Sequence, residues 1–142
     1  MRIRSKAVLV ALSLVFLGVL PGATLAQTIQ FSTHEIALKN GESTELAQVF
    51  YIGLNCQSLL KSTPTVEILD GPPGVTATIV AADVVPRSVS CAKPVAGGRL
   101  IIKAQDVQEH SYTRMVLRIN YKTLNGDRQR AENINIALFP AI

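Results

Sequence analysis

From Thr28 onward the chain alternates apolar and polar side chains with a period close to two, and turn residues recur at short intervals. That spacing predicts strands. An opening strand region at 28–38 is separated by Asn40-Gly41 from a dense apolar strand at 44–53. Gly71-Pro72-Pro73-Gly74 then divides a strand at 65–69 from another at 75–82, in which Val75, Ala77, Ile79 and Ala81 alternate with Thr76 and Thr78. Only one face of that strand is committed to a core. Gly97-Gly98 reads as a turn before a further strand at 99–104, where Leu100 and Ile102 share a face.

The chain closes on two long strands around Asn125-Gly126. Asn-Gly favours a two-residue type I′ turn. If Leu124 faces Asp127, then Leu117 meets Ile134, Met115 meets Ile136 and Thr113 meets Leu138. The apolar faces then coincide, whereas a one-residue slip would turn one of them to water. On the opposite face Arg114, Arg118 and Lys122 form a stripe expected to be solvated.

Seven or so short strands predict two packed antiparallel sheets. The segment PPGVTATI, followed later by YTRMVLRINYKTLNGDRQRAENINIALF, resembles the middle and closing hairpin of bacterial immunoglobulin-like sandwich domains. The resemblance implies an all-β, antiparallel immunoglobulin-like β-sandwich of about seven strands, a fold that usually serves adhesion, assembly or binding. Fold alone licenses no function.

The N-terminus has a different pattern. Arg2, Arg4 and Lys6 precede a mostly apolar run from Ala7 to Leu20, a break at Pro21-Gly22, and the small residue Ala26. The run is shorter than the roughly 20 residues that span a bilayer, so a signal peptide over 1–26, cleaved before Gln27, is expected. The domain would occupy 27–142, in the periplasm or outside the cell, with no transmembrane segment after cleavage. Its removal takes three of the 14 basic residues and none of the ten acidic ones, lowering the net charge from +4 to +1. The sequence pI of 9.3 is therefore partly a property of the precursor, and no nucleic-acid partner is expected.

An oxidising compartment gives the two cysteines, Cys56 and Cys91, an obvious use: they are expected to bond to each other. A redox pair would favour C-x-x-C spacing, and a zinc site with His34 and His110 would need ligands closer together in the chain. Neither a metal nor another cofactor is expected. Glu109-His110-Ser111 contains triad residue types, but neighbours on a strand point to opposite faces and triads are assembled from distant segments. The carboxylates are scattered and no phosphate loop is present, so an enzyme is not expected.

If successive strands simply reverse, the connections containing Cys56 and Cys91 and the Asn125-Gly126 turn share one pole. Lys61, Arg87, Lys93, Arg99 and Arg128 fall there against Asp83 and Asp127, while Glu42, Glu45, Asp70, Asp106 and Glu109 gather at the other end. The expected function is a non-catalytic binding or assembly module of the cell envelope. Its basic pole would contact a protein or another anionic envelope component. A self-associating subunit using strand addition, and a small enzyme or enzyme inhibitor, are the alternatives.

Overall fold

The computed structural model describes Gly18 and residues 33–87 and 91–141. Apart from Gly18, the expected signal peptide and strand residues 28–32 lie outside the described residues. Seven strands and no helix are found there: β1 (Thr33–Lys39), β2 (Ser43–Val49), β3 (Thr65–Asp70), β4 (Val75–Val84), β5 (Val95–Ala104), β6 (Ser111–Thr123) and β7 (Gly126–Phe139). They form a four-stranded sheet in the order β1-β7-β6-β3 and a three-stranded sheet in the order β2-β5-β4. All neighbours are antiparallel except β1, which runs parallel to β7.

The core lies between the sheets. Leu100 and Ile102 of β5 meet Met115, Leu117 and Ile119 of β6 and Ile134, Ile136 and Leu138 of β7 in one cluster. Along β6 from Met115, along β7 from Glu132 and along β5 from Gly98, every second residue is buried, so the two-residue period of the sequence is the period of burial there; β4 departs from its expected face, with Ala81 exposed and Val84 buried. The alternation is nearly unbroken along β6, from Met115 to Thr123.

The closing hairpin corrects the expected register. Met115 faces Ile134, Thr113 faces Ile136 and Leu117 faces Glu132, while Thr123 faces Gly126. The turn is therefore centred on Leu124-Asn125. Positive φ falls on Gly126 (99°) and not on Asn125. Thr123 enforces this form: its Oγ1 donates to the Gly126 carbonyl at 2.7 Å and accepts from the Asn125 N–H at 3.1 Å. The displacement is two residues, so the same side chains still face inward and the apolar faces coincide.

Gly97-Gly98 is not a turn but lies inside β5, which begins at Val95. A Cβ on Gly97 would sit 2.4 Å from the Val49 carbonyl oxygen, and one on Gly98 would sit 2.5 Å from Ile79 Cγ2. The two glycines let β2 and β4 close against β5 from both sides. β2 is shorter than expected and ends at Val49; Tyr51–Leu60 then forms a small hairpin of its own, with Ile52 bridging Ser58.

Candidate functional site

The two ends of the sandwich are tied differently. At one end, Gly41 N–H donates to the Ala104 carbonyl, Gln105 N–H to the Gly74 carbonyl and Val107 N–H to Asn40 Oδ1. These bonds join the β1–β2, β3–β4 and β5–β6 connections. At the other end Leu60 bridges Thr123, Leu124 N–H donates to the Leu59 carbonyl at 2.9 Å and Lys61 N–H to the Lys122 carbonyl at 2.8 Å. The small hairpin is thereby pinned beside the β6–β7 turn.

Cys56 and Cys91 complete that end. They form a disulfide with a Cα–Cα distance of 5.8 Å, within the range that requires no backbone movement. The bond joins the β2–β3 connection to the β4–β5 connection, and Ser58 Oγ donates to the Ala96 carbonyl at 3.0 Å alongside it. Cys56 itself has a φ of 57°, a conformation uncommon outside glycine and asparagine.

The five expected basic residues do not all gather here. Lys61, Arg87 and Lys93 are exposed in the connections of this end, and Arg128 is exposed in β7 opposite Tyr121, five residues after Thr123. Arg99 belongs elsewhere. Because β5 starts at Val95, Arg99 lies partway along it, paired with Gln48 and Val80, and its Nε is 4.0 Å from Glu45 Oε2. Lys122, read as part of a solvated stripe, is instead a member of the pole, next to Lys61 through their backbone bond. Arg118 of the same stripe is not simply solvated: its Nε donates to Glu67 Oε1 at 2.7 Å, and Asn120 Nδ2 donates to the same oxygen at 2.9 Å. The bonds from Asn120 and Arg118 hold the Glu67 carboxyl below its ordinary range.

A shallow groove of about 260 Å³ runs beside the pole, lined by Phe50, Tyr51, Tyr121, Arg128, Gln129 and Arg130. Tyr51 and Tyr121 pack with ring centroids 6.0 Å apart. Burial pushes the Tyr121 phenol up from its ordinary value. Behind Arg130 lies Glu132, which sequence reasoning passed over. It occupies an inward position and is only 3% exposed. Arg130 Nε is 2.8 Å from its Oε1 and His34 Nε2 is 3.3 Å from its Oε2, and among the described residues Oε2 has no hydrogen-bond partner. The signal was available: Glu132 is an acid in phase with Ile134, Ile136 and Leu138.

The residues with ligand or triad chemistry are dispersed. His34 pairs with Glu132 from β1, whereas His110 precedes β6 and stacks on Phe139 with ring centroids 4.6 Å apart. Among the described residues no three His, Cys, Asp or Glu side chains are grouped to hold a metal ion. The acidic end carries a cleft of about 440 Å³ between Pro72, Pro73, Val107 and Leu138, with Asp106 and Glu109 on its lining. Among the described residues no helix is long and apolar enough to cross a membrane. No protein-family model matches the chain, and no curated protein matches it.

Proposed function

We propose that the chain is an exported, non-catalytic binding or assembly module, a single immunoglobulin-like sandwich over 27–142, whose disulfide-bearing pole contacts a protein or other anionic component of the cell envelope. The observation that carries this reading is the way that pole is fastened. Three connections far apart in sequence are joined by the Cys56–Cys91 bond and by the backbone bonds from Leu124 and Lys61. A surface fixed in this way loses little conformational entropy on binding. Its cations Lys61, Arg87, Lys93, Lys122 and Arg128 outnumber Asp83 and Asp127, which favours and steers an anionic partner.

The strand order supports the immunoglobulin-like reading. Strands β2-β5-β4 and β3-β6-β7 take the places of the B-E-D and C-F-G strands, with the first strand beside the last instead of beside the second. Export is supported by the basic and apolar start of the sequence and by the disulfide.

Affinity capture from an envelope fraction tests the function. Capture should weaken with added salt and with Lys93→Glu or Arg128→Glu, by roughly fivefold or more each, and should be little changed by Lys39→Glu at the other end. Equal losses at both ends would dismiss the pole as the binding surface.

A further inference from the structure

The cations of the pole share their end of the sandwich with a feature that an anionic partner in water does not require. Leu54 is 106% exposed at the tip of the small hairpin, and Leu124 is 64% exposed at the tip of the β6–β7 turn. Tips of this kind ordinarily carry Gly, Asn, Asp or Ser. Here each leucine is followed by an asparagine, Asn55 or Asn125, and the aliphatic side chain takes no part in the hydrogen bonds of the turn. Leu59 holds Leu124 by its carbonyl, and Leu54 lies five residues before Leu59 on the same hairpin, so both tips project from one end of the sandwich. The disulfide at Cys56, two residues from Leu54, restrains the first tip.

Two exposed aliphatic side chains that share one end with the exposed cations Lys61, Lys93, Lys122 and Arg128 supply the two polarities of a bilayer interface. The leucines match the boundary between headgroups and acyl chains, and the cations match the headgroup phosphates. A soluble polyanion would use the cations alone. A protein partner would need a continuous contact of about 1,000 Å² or more, which two separate tips do not supply.

We propose that this pole docks peripherally on an anionic lipid bilayer, Leu54 and Leu124 entering the interface and Lys61, Lys93, Lys122 and Arg128 pairing with lipid phosphates. The inference rests on the reading of the pole as the binding surface and names its partner. Asp127, which faces Lys122, tempers the attraction, and screening of the exposed cations makes the bound state sensitive to salt.

The oxidised protein should sediment with vesicles of phosphatidylcholine mixed with phosphatidylglycerol and stay in solution with phosphatidylcholine alone. Leu54→Ser and Leu124→Ser should each weaken binding on the order of tenfold, without lowering the melting temperature because both side chains are exposed. The chain contains no tryptophan, so Leu54→Trp reports insertion directly: its emission should shift to the blue on mixed vesicles and be quenched by brominated acyl chains. Undiminished vesicle binding by the double serine variant would overturn the inference, as would a Leu54→Trp emission that stays water-like on bound vesicles. Absence of vesicle binding alongside salt-sensitive, Lys93-dependent capture of a soluble polyanion or envelope protein would overturn the lipid assignment and leave the proposed function standing. Loss of both would remove the two together.

Discussion

Glu132 is the residue whose placement runs most against its chemistry. Its side chain is buried opposite Leu117, with the half-exposed Arg130 and His34 as its ion-pair partners among the described residues. Removing one member of such a pair costs more than the pair contributes, because the other charge is left buried. Arg130→Ala is therefore expected to destabilise the protein by about 3 kcal/mol, and Arg130→Ala with Glu132→Leu to recover most of that loss; denaturant unfolding of the single and double variants measures both. A simple additive loss in the double variant would contradict this account. Glu67 gives a prediction of opposite character on the outer face. Its folded pKa is depressed by Asn120 and Arg118, so its contribution is present above the unfolded value near about 4.3 and vanishes as pH falls through the folded value. Glu67→Gln should lower the melting temperature at neutral pH, and the gap to the unsubstituted protein should close under acid conditions. The Glu132–His34 and Glu67–Arg118 pairings were not legible from spacing, since they form only once β1, β3, β6 and β7 are assembled into one sheet, whereas Arg130 and Glu132 lie two residues apart on β7.

At the scale of elements, the alternation of side chains was sufficient to find the strands and most of their inward faces, Ala81 of β4 being an exposed exception, but not the register of the last pair. A shift of two residues preserves every inward and outward assignment, so the hydrophobic pattern cannot distinguish Met115 facing Ile136 from the observed Met115 facing Ile134. Turn chemistry had to decide. The Thr123 hydroxyl, which bonds across the turn to Gly126 and Asn125, shifted the turn by one residue toward the N-terminus. Gly97-Gly98 misled for a related reason: glycine serves close strand approach as readily as a turn, and the tight contacts with Val49 and Ile79 are tertiary. The disulfide was legible because only two cysteines are present. Its separation of 35 residues corresponds to about 4 kcal/mol in the chain-entropy account. The Cys56→Ser, Cys91→Ser double variant should lose that order of stability in chemical denaturation while keeping its β-rich circular dichroism; a loss below about 1 kcal/mol would show that the reduced, unfolded chain is already constrained there.

For the whole molecule, the reversal of successive strands places the cysteine connections and the last turn at one end and the acidic connections at the other, with cross-connections at both ends. That polarity was readable from strand direction. What sequence could not supply was the membership of the pole, because Arg99 moved into β5 when that strand began four residues early and Lys122 was brought beside Lys61 by a backbone bond. The described lysines sample both ends: Lys61, Lys93 and Lys122 belong to the disulfide end, while Lys39, at the end of β1, and Lys103, opposite Ser43, belong to the other. Lysine acetylation of the oxidised protein, read by mass spectrometry with and without isolated envelope, therefore maps the binding surface before any partner is identified. The account predicts protection of Lys61, Lys93 and Lys122 with Lys39 and Lys103 unchanged; protection centred on Lys39 and Lys103, or spread evenly over all five, would contradict it.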